Sequence, residues 1–353
     1  MNRRNFLSLT GTLTGGALLL PDFLYSYGTQ KNLIIGEQCL VFIQLNGGND
    51  GLNTFIPFED PLYYDLRPKI AISKEDVISK TKGMGFHPAL KGFAQMQQNG
   101  DLSVIQNVGY PEPNRSHFRS QEIWQTASDS NKYVNEGWLG RYLDLQCVSH
   151  TPTAGINIDS IDNLSLKGDS PNSITVKDPD RFKIKNIKEE TGMLSENSSL
   201  DFVRKVANSV LEGSEEIQKA LTKSTTEISY PKNALGKNLE WIGRLIKGNL
   251  NSQDLKQANL LQNVTIVVFS EFGRRVKDNG NGTDHGTAAP MFVIGGQNRG
   301  KIIGNNPNLS DLSQGDLKYQ IDFRSVYASL LKEKMAFDYT KIGIKSPHLQ
   351  GLF

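Results

Sequence analysis

The sequence predicts an α/β fold with a mostly parallel central sheet flanked by helices. Two kinds of segment alternate along the chain: short apolar runs rich in β-branched residues, and longer stretches with the apolar spacing of amphipathic helices. Continuous apolar runs of this length are typical of strands that are buried on both faces, as in parallel sheets. Their alternation with helices is typical of one α/β domain.

The apolar runs are the predicted strands of this sheet. Each run is bounded by glycine or polar residues, which are frequent where a strand passes into a loop. We predict strands at 39–45, 102–108, 264–269 and 291–294, and a hairpin or extended segment at 300–304.

Amphipathic spacing predicts the helices. In 234–250, for example, Leu239, Ile242, Leu245 and Ile246 lie on one stripe, as in a helix that packs against a core. The same reasoning predicts helices at 89–99, 118–126, 201–221 and 324–332, a helix that begins near 138, and a loop at 57–76.

Composition sets broad limits on the class of protein. The chain has 353 residues and a formal net charge of +2, with no long basic or acidic block. It is long enough for a large core, and it lacks the basic runs that would indicate a nucleic-acid partner. Two cysteines, Cys39 and Cys147, are too few for a disulfide framework. One disulfide bridge and two buried thiols both remain open.

The N-terminus resembles an export signal. Arg3 and Arg4 precede Phe6, and a weakly apolar region follows from 7 to 20. Paired arginines are typical of a bacterial twin-arginine signal, and this apolar stretch is too short and too rich in glycine for a transmembrane anchor. We therefore predict a signal at 1–30 and a single domain at 31–353, exported to the periplasm or cell envelope. An ordinary N-terminal helix is the alternative.

Polar side chains lie at the ends of the predicted strands. Asp50 follows the first strand, Glu271 follows the third, and Asp284 and His285 precede the fourth. Ligands of open α/β sheets bind at strand ends and in the loops beyond them. Carboxylate oxygens and an imidazole nitrogen suit either a divalent metal or a general acid and base. Each residue also has an ordinary structural explanation, as part of a turn or of an ion pair with a neighbouring arginine.

Ser116 stands where a helix is predicted to begin. A serine there either caps the helix or, because helix N-termini stabilise negative charge, acts as a nucleophile, and both readings remain open. Arg115 and Arg119 are close in sequence and could hold an anion. His117 is not predicted to be the base of Ser116, since adjacent helical residues do not face each other.

Five segments of the chain carry a family resemblance: LNGGNDGLNT, PNRSHFRSQEIWQ, GWLGRYLD, VVFSEFGRRVKDNGNGTDHGTAAPMFVIGG and IDFRSVYASLL. In this order they resemble the bacterial family known as domain of unknown function 1501, from about Cys39 to Leu331. That family is similar to the alkaline phosphatase and sulfatase superfamily. The resemblance therefore implies an alkaline-phosphatase-like three-layer sandwich.

The resemblance also implies an activity. Ser116 corresponds to the nucleophile of the superfamily, and Arg115 or Arg119 would stabilise the charge that builds on the ester. The implied function is an exported, metal-dependent hydrolase of phosphate or sulfate esters, acting on a small anionic ester or a sulfated or phosphorylated glycan. The alternative is a non-catalytic exported protein of envelope assembly that binds another exported protein.

The implied metal site departs from the superfamily pattern. Asp50, Glu271 and His285 correspond to metal ligands, but Phe272 stands where the superfamily keeps a histidine, and 248–264 lacks the expected Asp-x-His segment. The implied cofactor is therefore one divalent ion, of Zn, Mn, Mg or Ca, rather than two. Three residues could supply substitute ligands: Asp284, Asp159 or His150.

Overall fold

A computed structural model of the chain describes residues 38–147, 151–184, 198–224, 229–250 and 263–353. The predicted export signal at 1–30 lies outside these residues. So do His150 and 251–262, the stretch in which the Asp-x-His segment is missing.

The strands and helices alternate along the described chain. The strands are β1 (Cys39–Gln44), β2 (Phe55–Ile56), β3 (Ile78–Thr81), β4 (Met84–Phe86), β5 (Leu102–Gly109), β6 (Gly155–Asn157), β7 (Ser173–Thr175), β8 (Val264–Phe269), β9 (Ala289–Gly295), β10 (Ile302–Ile303), β11 (Leu312–Ser313), β12 (Asp316–Leu317) and β13 (Ile321–Asp322). The α-helices are α1 (Gly51–Thr54), α2 (Pro61–Leu66), α3 (Lys91–Gln98), α4 (His117–Thr126), α5 (Trp138–Gln146), α6 (Ser198–Lys223), α7 (Ala234–Leu250) and α8 (Phe323–Ser329).

Six strands form the central sheet, in the order β1-β8-β9-β5-β10, with β13 also paired to β5. β1 and β8 are parallel and in register, from Cys39 opposite Val264 to Gln44 opposite Phe269. β10 and β13 are parallel to β5, but β9 is antiparallel to both of its neighbours, β8 and β5. The α/β class is confirmed. The sheet is mixed, so the prediction of a mostly parallel sheet is not confirmed.

The direction of β9 follows from the connection that precedes it. Residues 270–288 join β8 to β9 and contain no crossover helix. Neighbouring strands need such a crossover to run parallel, so β9 returns antiparallel. β9 is nevertheless buried along almost its whole length. Continuous apolar character therefore indicates burial on both faces of a strand, and not the direction in which the strand runs.

Alternate residues of the central strands face two separate cores. On one face, Val267, Phe269 and Val293 pack with side chains of α4, α5 and α8. On the other face, Val268 and Phe292 pack with side chains of α3 and of the small sheet β2-β4-β3. Because both faces are covered, the polar side chains gather in the loops at the strand ends.

Most predicted elements are confirmed, with boundaries shifted by a few residues. The predicted loop at 57–76 is wrong over Pro61–Leu66, which is helical, and Asp60 caps this helix by accepting a hydrogen bond from Leu62 N at 2.9 Å. An Asp followed by Pro at the first helical position is a start signal that the loop prediction overlooked. Ile302–Ile303 joins the central sheet beside β5 and does not form a hairpin.

Cys39 and Cys147 are free thiols and form no disulfide. Burial raises the pKa of Cys39 to about 11, so this thiol stays protonated at neutral pH. None of the helices in the described ranges combines the length and the apolar character that crossing a membrane requires.

Candidate functional site

The loops after β1 and β8 meet at one edge of the sheet, because the two strands are parallel and in register. The Asn49 N–H donates to Ser270 Oγ at 2.9 Å, and Asn49 pairs with Gly273 in an isolated bridge. Asp50 and Glu271 therefore lie at the ends of neighbouring strands, as the sequence predicts.

Glu271 is a fully buried carboxylate that accepts three hydrogen bonds from other residues. Oε1 accepts from the Gly47 N–H at 2.9 Å and from His117 Nδ1 at 2.7 Å, and Oε2 accepts from Ser270 Oγ at 2.9 Å. Gly47 has a φ of 107°, a conformation that glycine adopts readily. Burial acts to raise the pKa of Glu271, but these hydrogen bonds together hold it below its usual value. The carboxylate is therefore charged at neutral pH.

Two imidazoles lie side by side next to this carboxylate. His117, the first residue of α4, donates its Nδ1 proton to Glu271, and His285 donates its Nδ1 proton to the carbonyl oxygen of Arg115 at 2.8 Å. Both acceptors lack a proton of their own, so each neutral ring carries its proton on Nδ1. The ring centroids are 4.3 Å apart. In its neutral form each ring therefore has its unprotonated nitrogen at Nε2.

Phe272 packs against both imidazoles. The centroid of its buried ring lies 4.7 Å from that of His117 and 4.9 Å from that of His285. The superfamily resemblance implies a lost metal ligand at this position. In the structure the aromatic ring is instead an apolar support that fixes the position of the two histidines.

Ser116 occupies the N-cap position of α4, with φ −82° and ψ 128°, but its side chain makes no capping hydrogen bond. Its backbone N–H donates to Asn114 Oδ1 at 2.8 Å, and the residue is exposed. The capping reading is therefore not supported. Because Ser116 precedes the first helical residue, the rule that keeps adjacent helical side chains apart does not separate it from His117.

Asp50 forms an ion pair with a buried arginine. Both of its carboxylate oxygens accept from Arg67 Nη1, at 2.9 and 2.8 Å. Arg67 is 0% exposed, and its other N–H groups donate to the carbonyl oxygens of Val276 and Arg275. The pair ties the loop after β1 to the loop after β8. The positive charge of Arg67 balances the negative charge of Asp50, so Asp50 does not need a metal ion as its counter-ion.

Arg115 and Arg119 point to different partners. Arg119 bonds Glu122 and the carbonyl oxygens of Ser130 and Lys132, and its guanidinium stacks on an exposed tyrosine ring with 3.9 Å to the ring centroid. These contacts give Arg119 the role of holding the 130–132 loop. Arg115 instead bonds Asp316, a buried carboxylate, and stays close to the histidines through its carbonyl oxygen.

The predicted metal ligands are not gathered into one donor set. Asp284 is exposed, and its side chain accepts from Asn279 Nδ2 at 3.0 Å. Asp50 is paired with an arginine, and Glu271 is hydrogen-bonded to His117. Within the described ranges, no three His, Cys, Asp or Glu side chains form a group that could hold a metal ion. This donor set does not fit the single ion predicted, and the ligand assignment stays a prediction.

The sequence does not predict His117 as a site residue. Its partner Glu271 lies 154 residues away in the chain, and no local pattern reveals that contact. The local signal is a histidine directly after a helix-capping position, because side chains in the first turn of a helix tilt toward its N-terminus. The sequence analysis does not predict a site role for Arg67, which lies in the stretch predicted as a loop and follows the helix Pro61–Leu66.

Comparison with known proteins gives one sequence match. Residues 251–345 match the family model described as "Protein of unknown function (DUF1501)". This confirms the predicted resemblance over the part of the chain that contains Glu271 and His285. No curated protein matches the chain.

Several solved structures are similar to the chain at a low level, and two of them are structures of Ps i-CgsB. One is the crystal structure of Ps i-CgsB in complex with k-i-k-neocarrahexaose, with 12% identity and a TM-score of 0.34 over 88% of this chain and 75% of that one. The other is Ps i-CgsB alone, with 12% identity and a TM-score of 0.33 over 88% of this chain and 74% of that one. Similarity at this level establishes neither a shared fold nor a shared function.

Proposed function

We propose that the chain is a hydrolase of phosphate or sulfate esters in which His117 is the general base. The observation that carries this proposal is the 2.7 Å hydrogen bond between His117 Nδ1 and the buried, charged Glu271. A carboxylate in this position fixes the tautomer of the imidazole and stabilises the imidazolium that forms when Nε2 takes up a proton.

The attacking group is the Ser116 hydroxyl or a water molecule held beside it. Ser116 is exposed, makes no capping bond and lies at the N-terminus of a ten-residue helix, where free N–H groups stabilise developing negative charge. His117 Nε2 accepts the proton of the attacking hydroxyl. His285, on the neighbouring ring, is the general acid when it enters the reaction as the imidazolium, and its Nε2 proton then passes to the leaving oxygen. Arg115 stabilises the charge on the ester oxygens.

The divalent ion, the export signal and the glycan substrate stay separate proposals. The steps above do not involve a metal ion, because Asp50 and Glu271 are committed to Arg67 and His117. Metal analysis of the purified full chain, before and after incubation with Zn, Mn, Mg and Ca, tests the ion. Fractionation of expressing cells tests export. A panel of sulfated and phosphorylated oligosaccharides tests the glycan.

An aryl-ester panel tests the activity itself. Aryl phosphate and aryl sulfate should be hydrolysed by the wild type, and His117→Gln should lower kcat by about 10²–10⁴-fold, as expected for loss of a general base. His348→Gln is the matched control, because His348 contacts Lys332 on another part of the surface, and it should retain full activity. If His117→Gln is as active as His348→Gln, the proposal is wrong.

A non-catalytic binding protein is the second candidate. The observation that favours it is that two of the three predicted carboxylate ligands are already bonded to partners within the chain, Asp50 to Arg67 and Glu271 to His117. Absence of turnover on every ester, together with retained binding of inorganic phosphate or sulfate, would support this candidate. Co-purification of a defined exported protein with the full chain would identify its partner.

A further inference from the structure

Most arginines around the candidate site are saturated by acceptors within the protein. Arg67 bonds the Asp50 carboxylate and two carbonyl oxygens, and Arg119 bonds Glu122 and two carbonyl oxygens. Arg274 donates to the carbonyl oxygens of Gly48 and Gly47 and to a third carbonyl. These three guanidinium groups therefore support the fold.

Arg115 and Arg275 differ from them. Their side chains are 34% and 37% exposed, and both approach one carboxylate, that of Asp316, which is 1% exposed. Arg115 Nε and Nη2 both bond Asp316 Oδ2, whereas Arg275 Nε remains 3.9 Å from Oδ1. Within the described ranges Oδ1 has no hydrogen-bond donor. One buried carboxylate thus orients two guanidinium groups and neutralises only one of their charges.

The backbone around these two arginines is fixed beside the histidines. The Arg115 carbonyl accepts the Nδ1 proton of His285, and the Arg275 N–H donates to the carbonyl of Asp284, the residue before His285. The Arg275 carbonyl accepts from the buried Arg67 at 2.8 Å. Both arginines are therefore held on backbone that contacts His285 or its neighbour, and their partly exposed guanidinium groups can meet a ligand.

The geometry points to an oxyanion-binding site formed by Arg115 and Arg275, with Asp316 as the residue that orients both. Guanidinium groups bind sulfate and phosphate oxygens in pairs of parallel hydrogen bonds, and the excess positive charge here matches one anionic group. This inference rests on the proposed function, because the site would hold the acid part of the ester next to the histidines. In this site Arg275, and not the predicted Arg119, accompanies Arg115.

Calorimetric titration of the full chain with inorganic phosphate, and separately with inorganic sulfate, tests this site at low ionic strength. Wild type should bind at least one of the two with a stoichiometry of one. Arg275→Met should weaken that binding by at least ~10-fold, since it removes a charge-assisted pair of hydrogen bonds. Arg275→Lys keeps the positive charge but not the planar guanidinium group, so its affinity for the anion should lie between those of wild type and Arg275→Met. Arg181→Met is the matched control, because the Arg181 side chain is 88% exposed and forms an ion pair with Asp178 at the surface.

The separate titrations with phosphate and with sulfate distinguish the possible results. Binding of phosphate alone, or of sulfate alone, identifies the acid part of the ester that this site selects. Binding by neither anion, or equal binding by Arg275→Met and Arg181→Met, overturns the site. His117→Gln should keep anion binding even though it loses turnover, so failure of the catalytic proposal and failure of this site give different patterns.

Discussion

Two carboxylates lie just beyond the ends of neighbouring strands of the same sheet, and they differ in the residue that donates to them. Asp50, after β1, accepts from Arg67, a permanent cation that is fully buried and also donates to two carbonyl oxygens. Glu271, after β8, accepts from His117 Nδ1, and the side chain of His117 is 35% exposed. Both carboxylates occupy the same kind of position at a strand end. The partner therefore determines whether the carboxylate stabilises the fold, as with Arg67, or orients an imidazole for catalysis, as with His117.

Asp50→Asn should produce the largest change in stability. The substitution keeps the shape of the side chain but leaves the buried Arg67 without its counter-charge, and breaking a buried pair in this way costs about 3–5 kcal/mol. Denaturant unfolding of the full chain, with and without added divalent ions, measures the loss. If Asp50 is a metal ligand instead, the loss should appear only when the ion is present.

The control for that substitution is Asp178→Asn. Asp178 pairs with Arg181 at 3.6 Å on the surface, and exposed pairs of this kind contribute about 0–1 kcal/mol. A similar loss of stability in Asp50→Asn and Asp178→Asn would show that the pair of Asp50 with the buried Arg67 stabilises the fold no more than a surface pair does.

Glu271→Gln should produce an intermediate effect that depends on pH. The pKa of Glu271 in the folded chain lies below its usual value of 4.5, so in the acid range the unfolded chain binds more protons and stability rises with pH. The contribution is complete above the usual pKa and is lost as pH falls through the folded pKa. Stability curves of wild type and Glu271→Gln should therefore converge as pH falls below about 4.5. Parallel curves would mean that the charge of Glu271 adds nothing to stability.

Phe272→Leu should produce the smallest effect. It removes the ring contacts with His117 and His285 but keeps an apolar side chain, and such aromatic contacts are worth about 0.5–1.5 kcal/mol each. We expect a small loss of thermal stability and a decrease in kcat smaller than that of His117→Gln. A decrease in kcat as large as that of His117→Gln would give Phe272 a part in catalysis that the proposed mechanism does not assign.

The sequence predicts the strands and the polar strand ends better than it predicts what those ends contact. The apolar runs locate β1 and β8 almost to the residue, and parallel pairing then places Asp50 beside Glu271. The partners of these carboxylates are not predicted. Arg67 follows the helix Pro61–Leu66, which lies in a stretch predicted as a loop, and His117 is 154 positions from Glu271 in the chain. Burial, which apolar runs report, is a local property, whereas a hydrogen bond across the fold depends on tertiary packing that no short motif contains.

The most direct test of the His117–Glu271 pair is nitrogen NMR of the imidazoles in the full chain at neutral pH, with His117→Gln used to assign the signal. We predict that neutral His117 carries its proton on Nδ1, with an unprotonated Nε2, and that Glu271→Gln shifts this tautomer equilibrium. A His117 signal with the proton on Nε2, unchanged by Glu271→Gln, would contradict the account, because a protonated Nε2 cannot accept the proton of an attacking hydroxyl.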